Sequence, residues 1–297
     1  VRVLKPLIKN KNTSNILNKE KALFLKFYLT LGQAMYFSNY EAELYEMLAD
    51  KNNDFSRSKD TAAQVQFNDL WILWACHKYR FYNIPETYVT LAKTNTELAS
   101  KLKNTNDFFI SKNILSLLFL WNGELNKSLL LKIENGSYAR KISSHTNLLT
   151  ELNYQAFIYR CLGKFKAMDK VLHEAFQITN KVKSSYLIHL RANQLVGKLK
   201  NDQLDSAASL SAFIEKAKSA FPENYPLKFF WEGPLFRYYI TTNELEKAYA
   251  CLQFIFHPSQ RAWPEPANTL NERLNKAFEG KKKKEFLKIS KELIQWS

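Results

Sequence analysis

Glycine is scarce in this sequence. Only 7 of 297 residues are glycine, and no two stand at the spacing of a phosphate-cradling loop. Such a loop needs clustered glycines so that backbone N–H groups converge on the anion, so that class of site is excluded over this length of chain. Cysteine is scarcer still, with Cys76, Cys161 and Cys251 far apart and no CxxC pair. An odd, sparse set argues against a disulfide framework. It predicts reduced thiols buried in helices and a cytoplasmic setting. Long apolar runs are missing as well. The longest, Ile114–Trp121 (ILSLLFLW), has 8 residues, against the roughly 20 that a membrane-spanning helix needs. The basic start is followed by polar residues, not by the apolar core of a signal peptide. The chain opens on Val1 and reads as a piece of a longer protein, with effector parts outside it.

Catalytic signatures are equally thin. The histidines His77, His145, His173, His189 and His257 form no HExxH pair, and no GxSxG elbow occurs. Acidic pairs such as Glu244 and Glu246 flank lysines and read as solvated helix starts. The expectation is a non-enzymatic chain with no cofactor and no metal.

Hydrophobic residues, by contrast, make up 46% of the chain, and Lys plus Arg exceed Asp plus Glu by 15. The excess is spread out, apart from residues 1–30 with 7 basic and 1 acidic residue. A spread excess gives weak attraction to polyanions and no dedicated groove. The dense run Lys281–Lys284 reads as a solvated turn, with a phosphate contact as the alternative. Apolar residues recur at helical spacing, as in Val171, Leu172, Ala175, Phe176 and Ile178. No alternating β-branched run with hairpin turns occurs, so the chain is predicted to be all α.

One grammar repeats. In CLGKFKAM, Phe165 stands two residues after Gly163. Leu125, Leu204 and Leu245 follow turn residues in the same way, at spacings of 40, 39 and 41 residues. Equal steps reach Phe286 forward and Ile84 and Tyr40 backward, giving 7 units of about 40 residues. A period of this size signals stacked helical hairpins. Small residues at Ala75, Ala156, Ala175, Ala207 and Ala248 would let neighbouring helices approach closely. The predicted architecture is a right-handed α-solenoid of about seven antiparallel hairpins, with a basic segment over 1–18 and one repeat domain over 19–297.

Leu31–Leu48 resembles a tetratricopeptide repeat, with Leu31, Gly32, Ala34 and Tyr40 in motif places. Leu152, Ala156, Tyr159, Gly163, Phe165 and Ala175 match in a second copy, where Met168 replaces the usual alanine. Phe236 stands where a third copy expects a small residue. The repeats are longer than usual and are similar to those in sensor domains of bacterial STAND-type ATPases and transcriptional regulators. HEAT-like and PCI-like repeats share the period.

The resemblance implies that the first helix of each hairpin lines a concave face. Carried onto this sequence, that face includes Asp69, Arg80, Asn113, Asn153, Arg160, His189, Asn193 and Arg237. Asn and Arg suit a peptide backbone and carboxylates. A plain solvated helix face is the alternative for each. Trp71 and Trp74 read as packing between hairpins, or as an aromatic wall. Pro234 is expected to start or kink its helix, with Trp231 projecting from the break. The function implied is binding of a protein segment or peptide, as a regulatory or scaffold part. Association with RNA or DNA, driven by the charge, is the rival.

Overall fold

The computed structural model describes residues 21–37, 40–79, 83–102, 105–179, 186–221, 225, 228–257 and 263–296. The basic segment 1–18 and Arg80 lie outside the described residues. Those described contain 14 α-helices and no strand. The chain divides into two compact units, 1–124 and 125–297; the stretch 19–297, expected to be one domain, is described as these two, each by itself.

The first unit holds α1 (Lys21–Phe37), α2 (Glu41–Ser56), α3 (Thr61–Lys78), α4 (Glu86–Ser100) and α5 (Thr105–Trp121). Helix α3 packs on each of the other four. Its start is fixed by Asp60, whose carboxylate accepts the Ala63 N–H at 3.0 Å. Leu31, Leu44, Leu48 and Leu70 fill the core, and Phe55 stacks on Phe67 with ring centres 4.1 Å apart. Gly32 is where α1 comes closest. A Cβ there would stand 2.7 Å from Leu70 Cδ1 and 2.8 Å from Met47 Cε, so the resemblance's glycine has a steric reason. Trp71 and Trp74 meet edge to face at 5.6 Å, and Tyr45 and Tyr88 both lie against Trp74. The packing reading therefore holds for this pair.

The second unit holds α6 (Leu125–Lys141), α7 (His145–Cys161), α8 (Phe165–Thr179), α9 (Leu187–Lys200), α10 (Leu204–Lys218), α11 (Phe229–Thr241), α12 (Leu245–Ile255), α13 (Glu265–Glu279) and α14 (Lys283–Trp296). Helices α7, α9 and α11 pack one on the next, and each also meets the helix that follows it. The last hairpin departs from this scheme, because α14 reaches α11. Arg237 Nη2 donates to the Ile294 carbonyl there at 3.1 Å, placing a cation on the open end of a helix.

The repeating grammar is a helix-stop motif. Gly123, Gly163, Asp202, Asn243 and Lys281 all have φ between 54° and 79°. In each case the next residue's N–H reaches back to a carbonyl five residues earlier. Examples are Lys164 to Tyr159 at 2.8 Å and Glu244 to Tyr239 at 2.8 Å. This closes the end of the first helix, and one residue later the second helix begins. Leu125, Phe165, Leu204 and Leu245 are therefore first residues of helices. They are half-buried or, for Leu204, exposed. The deep positions lie three residues on, at Ser128, Met168, Ala207 and Ala248, each fully buried. Ala75, Ala156 and Ala175 are fully buried too.

Several local expectations change. Helix α11 runs through Pro234, starting five residues before it. So near the helix start, the ring removes one hydrogen bond, the one that Phe230 would receive. Trp231 does not project; it is buried, with Nε1 donating to Glu232 at 3.2 Å. Phe236 is accommodated within the core. Cys161 is exposed, whereas Cys76 and Cys251 are buried. Lys281–Lys284 are exposed at the last turn and the start of α14, in keeping with the solvated reading.

Candidate functional site

The expected concave-face residues divide between the two units. In the first, Asp69 is only 5% exposed and already engaged. Its carboxylate accepts from Asn95 Nδ2 at 2.8 Å and from Ser111 Oγ at 2.9 Å. Asn95 also donates to the Val65 carbonyl and accepts from Asn68. The group ties α3, α4 and α5 together as an internal strut. Burial raises the Asp69 carboxyl to about 7 against these hydrogen bonds. Asn113 is half-buried on α5, with its carbonyl accepting from Ser116 Oγ.

The second unit gathers the remaining five. Asn153 and Arg160 lie seven residues apart on α7, and His189 and Asn193 lie four apart on α9. Such spacings share a helix face. Asn153 and Asn193 are 1% exposed and His189 is 2% exposed. The solvated alternative therefore fails for these three. Asn153 Oδ1, Asn193 Oδ1, His189 Nδ1 and Arg160 Nη1 are all buried with no hydrogen-bond partner in the protein. Most buried polar side chains are paired, and each one left unpaired costs about 1–3 kcal/mol.

Phe230 of α11 joins these helices. Its ring centre lies 4.6 Å from that of Phe157 and 5.2 Å from the His189 imidazole. The Arg160 guanidinium sits over Phe157 at 4.7 Å. Arg237, in the last turns of α11, is near enough to repel Arg160. Between Phe230 and Arg237, Gly233 leaves open space where a Cβ would stand. Burial, with Arg160 adding to it, lowers His189 to about 3, so the ring is neutral near pH 7 and each nitrogen can donate or accept by tautomer. Burial also lowers Arg160 to about 10, with Cys161 opposing and Arg237 adding; it stays cationic.

The sequence reading missed Phe157 and Phe230, the apolar floor of this face. It also missed Lys132 and Glu151, a fully buried ion pair at 3.3 Å between α6 and α7. Helical spacing from Asn153 marks Phe157, but nothing in the sequence pairs Lys132 with Glu151. Among the described residues, no group of three or more His, Cys, Asp or Glu is arranged to hold a metal. No helix among them is long and apolar enough to cross a membrane.

No protein-family model matches the chain, and no curated protein matches it in sequence. Solved structures do match in fold. The apo form of RapI aligns with 92% of this chain and 96% of its own, at a TM-score of 0.65 and 11% identity. A Rap protein complexed with Competence and Sporulation Factor aligns with 98% of this chain and 81% of its own, at 0.63 and 12% identity. BtubC from P. vanneervenii aligns with 81% and 96%, at 0.50 and 15% identity. At such identities the likeness is one of fold, and it agrees with the helix order and the glycine and alanine positions above. The chain has a tetratricopeptide-like helical-repeat fold.

Proposed function

We propose that this chain is a non-enzymatic binding module that holds a protein segment or peptide against α7, α9 and α11. The observation that carries the reading is the set of buried, unpartnered polar atoms at Asn153, Arg160, His189 and Asn193. An extended peptide supplies a row of N–H and C=O groups, and carboxamides and a neutral imidazole are the side chains that pair with both. Phe157 and Phe230 offer apolar surface beside them. The Rap protein solved with Competence and Sporulation Factor gives the same fold with a bound partner. A role as the regulatory or scaffold part of a larger protein, in the cytoplasm, follows from this reading. The comparisons lend no support to RNA or DNA as the partner.

The test is retention of random short peptides on the immobilised chain, read by mass spectrometry. A retained set should be enriched over a column of unrelated protein, and Asn153→Ala with Asn193→Ala should lose most of it. Equal retention by the folded double variant overturns the assignment of this face.

A further inference from the structure

The charges on this face do not balance. Helices α7, α9 and α11 carry two carboxylates between them, Glu151 and Glu232. Both are taken. Glu151 stands 3.3 Å from Lys132, and Glu232 stands 3.6 Å from Lys218 while accepting from Trp231 Nε1. No carboxylate answers Arg160, whose Nη1 is buried and unpartnered. The charged group nearest to it in effect is another guanidinium, Arg237, which repels it. Arg237 spends Nη2 on the Ile294 carbonyl, a neutral acceptor. Two like charges brought together over an apolar floor, with no counter-charge, raise the energy of the free protein. They lower it again when an anion arrives.

We propose that Arg160 and Arg237 form an anion subsite that reads the C-terminal carboxylate of the bound peptide. This inference rests on the peptide-binding reading. A guanidinium presents a flat fork that matches the two oxygens of a carboxylate. Arg160 lies on the same face as Asn153, two turns away, or about 10 Å along the helix. Asn153 and Asn193 offer carboxamides to main-chain amides, and Arg160 offers the fork to what ends the chain. The last residues of a peptide bring those two chemistries together without needing any particular side chain. Stacking on Phe157 holds the Arg160 plane in place before a ligand arrives, so little side-chain freedom remains to be lost.

Three peptide pools separate the possibilities on the full chain. The first has free C-termini and no Asp or Glu. The second is the same pool with amidated C-termini. The third is amidated but contains Asp and Glu. The first pool should be retained about tenfold or more over the other two, as expected for losing hydrogen bonds to a charged group. Arg160→Met should bring that ratio to about one, and Arg160→Lys, which keeps charge without the fork, should fall between. Circular dichroism checks that each variant is folded, and Arg237→Met serves if Arg160→Met is not. Equal retention of the first two pools overturns the carboxylate subsite and leaves peptide binding standing. Retention of the third pool equal to the first overturns the choice of the chain end. No retention of any pool removes both readings.

Discussion

Both units bury polar side chains on the first helices of their hairpins, but they use them in opposite ways. In the first unit, Asp69 is surrounded by Asn95 and Ser111, and every bond closes inside the protein. In the second, Asn153, His189 and Asn193 are buried as deeply, yet nothing in the protein meets their inward atoms. A residue type and a place in the repeat are therefore not enough to mark a binding position. What distinguishes the two is whether the neighbouring helix brings a partner.

The contrast can be broken most forcefully inside the second unit, where one buried polar pair is complete. Glu151→Ala leaves Lys132 without its carboxylate and should cost about 3–5 kcal/mol in urea denaturation. A smaller loss, about 3 kcal/mol, is expected for Asn95→Leu, which strips Asp69, Val65 and Asn68 of a shared partner. Asp69 also gives the first unit a pH signature. Its carboxyl is raised from 3.8 to about 7, so the folded chain keeps a proton that the unfolded chain releases. The stability it contributes is complete below pH 3.8 and is lost as pH rises through about 7. Urea midpoints should fall over that window, and Asp69→Asn should flatten the fall.

Asn193→Leu should behave in the opposite sense from Asn95→Leu. It removes an unpaired polar atom at similar volume, so stability should hold or rise by about 1 kcal/mol while peptide retention drops. A clear loss of stability would show that Asn193 is a strut like Asp69. The smallest effect is at a turn. Lys281→Gly relieves a left-handed backbone and should raise stability by about 0.5–1 kcal/mol.

The repeat was readable because its marks are local. A turn residue with positive φ, a polar step and a helix start occupy adjacent positions, so spacing alone located Leu125, Phe165, Leu204 and Leu245. Helix periodicity likewise placed the alanines that prove fully buried. The site was half-readable. Period and resemblance put Asn153, Arg160, His189, Asn193 and Arg237 on the right helices. Which of them were paired depended on residues far along the chain, such as Ser111, 42 positions from Asp69. The Lys132–Glu151 pair had no sequence signal, since neither residue differs locally from a surface lysine and glutamate. Pro234 misled because a proline so early in a helix costs only one bond.

The left-handed turns also set the phase of the chain. Each one fixes where the next helix starts, and from there every side chain advances by about 100° per residue. Removing Lys164 alone would swing the buried positions of α8 from Met168 and Ala175 onto their polar neighbours. Removing a whole unit of about 40 residues returns the helices to the same angle. Chains built on this ruler can lengthen or shorten by the repeat far more readily than by the single residue.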